Sequence, residues 1–167
     1  MSGSTIPQTV TAPSPHRSHI RYRMRAPTPH RPGPPSEVNV RVTLPRASWT
    51  VPVVRRLSRT VLRRRLVGEE CRAAVEVAVC EACSNAVRHA DPATHYSLRL
   101  AVQQSICLVE VADTGTGFDL PREAMMASAY AVSGRGLALI AHLTDQLEIR
   151  RQQPTGTVLR FVKHLHR

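Results

Sequence analysis

The hydrophobic and polar positions of the chain follow two different periods. Residues 38–44 alternate strictly between apolar and polar, which predicts a strand because successive side chains of a strand point to opposite faces. The same alternation predicts four further strands, at 96–102, 106–112, 147–149 and 157–161. Apolar spacings of three and four predict helices after Thr50, a candidate N-cap, and over 70–90 and 136–143. This order predicts an α+β fold, a two-layer sandwich with helices on one face of a mixed, mostly antiparallel sheet.

Residues 1–36 differ in composition from the rest of the chain. They hold eight of the thirteen prolines and five arginines, with no acidic residue and no apolar periodicity. Such a segment cannot bury enough apolar surface to offset the entropy lost on ordering, so we expect a disordered tail. We therefore expect the folded domain at 37–167, with an aperiodic loop at 119–133.

The charge and the cysteines narrow the class of protein. A formal net charge of +11 suits an acidic partner, although plain solubility explains it equally well. Four cysteines, with no apolar leader and no long apolar run, favour a cytoplasmic protein that does not engage a membrane. Cys80 and Cys83 form a C-x-x-C pair, but no second pair completes four zinc ligands.

The second predicted helix carries a polar face. Glu81, Asn85, Arg88 and His89 follow one another at positions i, i+4, i+7 and i+8, so they share one side of the helix. An amide oxygen suits a hydrated Mg²⁺ that phosphate oxygens complete, and a nearby carboxylate can accept a proton from an attacking hydroxyl. A solvated helix face is the alternative interpretation of the same pattern.

Two glycine-rich segments follow strand or helix boundaries. Asp113 has the strand parity of Val109 and Val111 and therefore points inward, where the amino group of a purine could donate to it. Gly115 and Gly117 then allow a ligand to approach the backbone, although an ordinary turn has the same composition. The segment 134–137 opens a helix whose free N–H groups could hold an anion, or it is simply a capping turn. Thr157 also points inward by parity.

Taken in order, these segments resemble the ATPase family that gyrase, histidine kinases and MutL share, also called the Bergerat fold. Residues 81–90 look like its N box, 113–118 like its G1 box and 134–137 like its G2 box. Within that family, the sequence Glu81-Ala-x-x-Asn85-Ala-x-x-His89-Ala90 is most similar to the N box of the bacterial anti-sigma-factor serine kinases. The resemblance covers about residues 37–163.

The resemblance implies a nucleotide site that uses ATP and Mg²⁺. Asn85 would bind the metal, Glu81 would be the catalytic base for a substrate Ser or Thr, and Asp113 would bind the adenine amino group. The remaining predicted nucleotide-binding residues belong to the same boxes or lie beside them: Arg88, His89, Gly115, Gly117, Phe118, Gly134, Arg135, Gly136, Leu137 and Thr157. A lid at 119–133 would cover the phosphates.

The resemblance also implies a function in regulation. Proteins of this kind bind a sigma factor and phosphorylate an anti-anti-sigma (STAS-type) protein, which makes this chain an expected serine/threonine-protein kinase. A non-catalytic regulator that uses ATP only to control partner binding is the alternative. Direct nucleic-acid binding through the arginines is not expected, since no recognised motif accompanies them. The sequence leaves open whether the chain forms a homodimer.

Overall fold

A computed structural model describes residues 20–23, 37–116, 135–152 and 154–166 of the protein. These residues form six strands and three helices. The strands are β1 (Ile20–Arg23), β2 (Val38–Pro45), β3 (His95–Gln103), β4 (Ile106–Asp113), β5 (Gln146–Arg151) and β6 (Thr157–His164). The helices are α1 (Thr50–Arg64), α2 (Glu69–His89) and α3 (Arg135–Leu143). The predicted α+β fold is confirmed.

The strands form one sheet in the order β1-β5-β6-β4-β3-β2, and each of these neighbouring pairs is antiparallel. Alternate side chains of β3 and β4 are fully buried, as strand parity predicts, and they face the helices. α2 lies centrally over the sheet, with α1 on one side of it and α3 on the other.

Strand β1 differs from the expectation that ordered structure begins near residue 37. Its four residues pair with β5 in the register Ile20 to Ile149 and Arg23 to Gln146. A strand can add to an open sheet edge through backbone hydrogen bonds. Its residues also alternate between apolar and polar, although the run is only four residues long. The expectation of disorder is therefore wrong for 20–23, and the rest of the predicted tail lies outside the described residues.

The start of α1 also differs from the predicted N-cap. The cap position is Trp49, and Thr50 is instead the first helical residue and fully buried. The Thr50 hydroxyl donates to the Ala47 carbonyl at 2.6 Å and contacts the Tyr96 hydroxyl at 2.8 Å. This side chain therefore ties α1 to the sheet, because its position against β3 satisfies two buried polar groups.

A buried ion pair joins α1 to α2. The Glu76 carboxylate, only 4% exposed, accepts hydrogen bonds from Arg59 at 2.8 to 3.1 Å and from Arg55 at 3.4 Å. Burial by itself would raise the pKa of Glu76, but the hydrogen bonds and charges of the two arginines outweigh it, so the pKa is lowered. The two helices are thus held in one relative position.

The fold brings three chain segments together at one end of the sheet. β4 ends at Asp113, β6 begins at Thr157, and the C-terminal half of α2 packs above them. Apolar side chains of α2 and the central strands fill the core below this end. The polar ends of these elements are therefore left at the rim of an apolar interior.

Candidate functional site

The polar face of α2 points in two directions. Asn85 is half-buried and His89 is exposed, and both line a cleft between α2 and the sheet. Arg88 lies outside that lining, where its Nε donates to the Ser84 carbonyl at 3.2 Å. Its Nη2 lies 3.9 Å from the Glu81 carboxylate. The helix therefore turns Asn85 and His89 towards the sheet and Arg88 towards solvent.

Asp113 forms the floor of the cleft at the end of β4. It is buried, as its parity predicted, and its Oδ1 accepts the Gly115 N–H at 3.0 Å. Burial raises the pKa of Asp113. The hydrogen bonds that the backbone N–H groups of Gly115 and Thr157 donate to its carboxylate lower the pKa, but only in part. A buried carboxylate held by backbone donors presents its remaining lone pairs to the cleft.

The turn before β6 packs closely against the end of β4, where Asp113 lies. Gly156 has a φ of +116°, which L side chains rarely adopt. A Cβ at this position would overlap the Asp113 carbonyl oxygen and lie 3.0 Å from Thr114 Cα. Glycine is therefore required here, and the close approach places the buried Thr157 beside Asp113.

The cleft combines a polar rim with an apolar interior. Its enclosed cavity is small, about 20 Å³, and the cleft is partly open to solvent. Its lining consists of Ala82, Asn85, Ala86, His89, Val111, Asp113, Thr157 and Leu159. Small-molecule sites have this character, since apolar walls bury a flat ring while a few polar groups orient it.

The N-terminus of α3 packs directly on the polar face of α2. A Cβ added to Gly136 would lie 2.7 Å from Glu81 Oε2 and 3.6 Å from Asn85 Oδ1. Glycine therefore allows α3 to approach α2 without displacing the Glu81 carboxylate. Gly136 therefore joins the predicted G2 box to Glu81 and Asn85.

The predicted site residues fall into four groups. The cleft is lined by Asn85, His89, Asp113 and Thr157. Beside this lining, Gly115 donates a hydrogen bond to Asp113, and Gly136 faces Glu81. Arg88 and Arg135 are exposed away from the lining, while Leu137 packs partly against the core. Gly117, Phe118, Gly134 and the predicted lid at 119–133 lie outside the described residues. The roles assigned to all of these residues stay predictions.

Sequence reasoning missed the apolar half of the cleft. Ala82 and Ala86 precede and follow Asn85 on α2, and Val111 and Leu159 face them from β4 and β6. The sequence did contain a signal for it. Ala82 and Ala86 are spaced i, i+4, next to Asn85 and His89, which have the same spacing. This spacing marks the stripe of small side chains that forms the apolar wall of the cleft.

One orphaned donor fits the phosphate end of a nucleotide, because an amide N–H can donate to a phosphate oxygen, although it cannot ligate Mg²⁺ itself. Nδ2 of Asn85 is shielded from solvent and has no hydrogen-bond partner among the described residues. An unpaired buried polar group costs about 1–3 kcal/mol, so a buried N–H donor normally finds an acceptor, such as a water or a ligand oxygen. The orphaned amide, the buried Asp113 and the close approach of Gly136 together suit a ligand with a base at one end and phosphates at the other.

Other site classes receive less support from the described residues. Within them, no three His, Cys, Asp or Glu side chains are grouped to hold a metal ion. Burial raises the pKa of Cys83 to about 12, and it raises the pKa of Cys80 as well, so neither thiol of the C-x-x-C pair is activated. None of the described helices is long and apolar enough to span a membrane.

Comparison with known proteins identifies the class of domain to which this fold belongs. The sequence profile of the histidine kinase-like ATPase domain matches residues 44–163, which is well over half of the chain. The chain belongs to this family. The predicted family is therefore confirmed.

Particular relatives narrow the comparison. Serine-protein kinase RsbW of Bacillus subtilis is 34% identical over 104 residues, or 55% of this chain and 64% of the relative. Its counterpart from Bacillus licheniformis is 32% identical over 105 residues, or 56% and 64%. The chain thus spans just under two thirds of the curated relatives it matches. The solved RsbU and RsbW domains of Rv1364c from Mycobacterium tuberculosis share the fold, with a TM-score of 0.61 and 19% identity over 78% of this chain and 33% of that one.

Proposed function

We propose that this protein is an ATP-dependent serine/threonine-protein kinase of the anti-sigma type. It would bind a sigma factor and phosphorylate an anti-anti-sigma (STAS-type) protein, acting in the cytoplasm where sigma factors work. The single observation that carries the proposal is the packing of Gly136 towards Glu81 and Asn85, where an added Cβ would lie 2.7 Å from the first and 3.6 Å from the second. This arrangement would bring a base, an amide ligand and the start of a helix to one point. The names of the RsbW relatives, which are serine-protein kinases, support the same activity.

The cleft would hold the nucleotide by its two ends. Asp113 would accept a hydrogen bond from the adenine amino group, while the Ala82 and Ala86 wall buries the ring faces. Asn85 would offer its amide oxygen to Mg²⁺, which prefers oxygen ligands and retains several waters. When bound, the magnesium nucleotide supplies the transferable phosphoryl group and its charge neutralisation.

Glu81 would act on the protein substrate. Its carboxylate is about one third exposed, so a Ser or Thr hydroxyl of a docked partner can reach it from solvent. Glu81 would accept the hydroxyl proton as the oxygen forms its bond to phosphorus and the bond to the departing diphosphate breaks. Because the backbone of α3 lies close to Glu81 at Gly136, it would keep the Glu81 carboxylate from turning into the cleft.

One observation favours a second candidate, a non-catalytic regulator whose partner affinity depends on ATP. Arg88 Nη2 lies 3.9 Å from Glu81 Oε2 and competes for the carboxylate that must accept a proton. A base paired in this way throughout the catalytic cycle would leave ATP binding intact and phosphoryl transfer absent.

Partner capture with and without Mg-ATP, followed by phosphopeptide mapping, tests both candidates. The recovered STAS-type protein should carry phosphoserine or phosphothreonine after incubation with the wild type. Glu81→Gln should lower the rate about a hundredfold or more, which is the usual contribution of a general base. Glu70→Gln is the matched control, since Glu70 lies exposed at the start of the same helix.

The outcomes separate the two candidates. Equal phosphoprotein yield from wild type and Glu81→Gln contradicts the role of the base. Partner affinity that changes with ATP, while no phosphate is ever transferred, supports the non-catalytic regulator instead.

A further inference from the structure

Helix α1 presents an unusual outward face. Trp49 is 59% exposed and Val53 is 47% exposed, although large apolar side chains are normally covered in small domains. Further along the same side, Arg56, Thr60 and Arg63 are also exposed. We call these five residues the outer seam of α1. The seam lies opposite the buried side of the helix, which carries Val54, Ser58 and Leu62.

The seam residues lie on one face of α1. They follow one another at intervals of four, three, four and three residues, which keeps side chains in one row along a helix. Trp49 shares this geometry because its backbone is helical, with φ of −65° and ψ of −17°. The seam is therefore straight and about 21 Å long, enough to accompany three turns or more of another helix.

The charges along the seam are available for a partner. Arg55 and Arg59 are engaged by Glu76 on the inner side. Arg56 and Arg63, and Arg64 beside them, form no ion pair with another described residue. The seam thus has an apolar first half and an unneutralised basic second half.

The seam is remote from the nucleotide cleft. α1 and α3 pack against opposite sides of α2, and the cleft contacts of Glu81 and Asn85 are made with α3. A partner on the seam would therefore leave the cleft accessible.

We propose that the outer seam of α1 binds an acidic amphipathic helix of a protein partner. Apolar side chains of that helix would cover Trp49 and Val53, and its carboxylates would pair with Arg56, Arg63 and Arg64. A protein helix fits better than nucleic acid, because Trp49 and Val53 offer apolar surface that a phosphate backbone would leave uncovered. The proposal takes from the proposed function only that the protein acts through a protein partner.

The test uses a synthetic helical peptide of about three heptads with leucine at the core positions and glutamate beside them. Trp49 is the one tryptophan of the chain, so a blue shift of its emission reports the contact directly. Anisotropy of a labelled peptide then gives affinities for variants. Trp49→Ala should weaken binding about tenfold or more, and replacing Arg56, Arg63 and Arg64 by Gln should do the same and flatten the salt dependence.

Matched controls separate the seam from general charge and from catalysis. Replacing Arg41, Arg150 and Arg160 by Gln removes the same charge from exposed positions on the sheet, and it should change affinity by about twofold or less. Leu139→Ala, at an apolar position 38% exposed on α3, should have no effect. Asp113→Asn should retain peptide binding, so the seam can be upheld even if the nucleotide assignment fails.

Three results would overturn the proposal. One is absence of peptide binding to the folded wild type, as checked by circular dichroism. Another is equal weakening by the seam and sheet arginine variants. The last is a short DNA duplex that binds more tightly than the peptide and loses affinity in the seam variants.

Discussion

Replacing Gly136 by Ala separates the geometry of the site from the stability of the fold. Gly136 lies in the first turn of α3 with a helical backbone, so alanine is compatible with its conformation. Alanine in a helix is favoured over glycine by up to about 1 kcal/mol, and less in the first turn. The added Cβ would lie 2.7 Å from Glu81 Oε2, which is the end of a flexible side chain. We therefore expect the fold to be kept and the carboxylate to be displaced.

The size of the displacement sets the expected loss of activity. Ordinary van der Waals separation requires Glu81 Oε2 to move by roughly 1 Å. A misplacement of about 1 Å in a catalytic group can reduce the rate about a hundredfold. Asn85 Oδ1 lies at 3.6 Å, an ordinary contact, so it need not move. Phosphoryl transfer should accordingly fall much more than ATP affinity.

Three measurements on Gly136→Ala test this reasoning: thermal unfolding, ATP binding by calorimetry and phosphorylation of the captured partner. Gly156→Ala serves as the contrast, because a Cβ there meets backbone rather than a flexible side chain and should lower the melting temperature. If Gly136→Ala phosphorylates the partner at the wild-type rate while Glu81→Gln is inactive, the inferred displacement of the Glu81 carboxylate is refuted. A melting temperature that falls as far as in Gly156→Ala would refute it as well.

Two further substitutions test other parts of the structure. Asp113→Asn should weaken ATP binding about tenfold to a hundredfold by calorimetry, because a buried acceptor is replaced by a group that also donates. Since burial raises the pKa of Asp113, the contribution of this residue to the free energy of unfolding should fall as pH rises from 3.8 to the native pKa. In urea unfolding, the Asn variant should lack this pH dependence. Glu76→Gln should lower the free energy of unfolding by about 1–3 kcal/mol at neutral pH, because Arg59 loses its charged acceptor. Because the pKa of Glu76 is lowered, the extra stability of the wild type over Glu76→Gln should be present above pH 4.5 and should disappear as pH falls through the native pKa. A stability difference that persists in acid would contradict this assignment.

The periodic positions of the chain were sufficient to predict its layers. Alternation at 38–44 and helical spacing at 70–90 each match one observed element within a residue or so, because burial of one face imposes those periods directly. The inward direction of Asp113 and Thr157 followed from the same parity and is observed. Strand β1 was missed although Ile20-Arg21-Tyr22-Arg23 alternates between apolar and polar residues, because so short a run does not stand out inside a segment rich in proline and arginine.

The sequence by itself determined which residue types the site would contain and on which elements they would lie. Only the tertiary structure decided which of them meet. It turned Asn85 into the cleft and Arg88 out of it, although both lie on one helix face in the sequence pattern. It also brought Gly136 against Glu81, residues more than fifty positions apart. Such contacts depend on how helices pack on the sheet, and local periodicity specifies the direction of a side chain without specifying what lies opposite it.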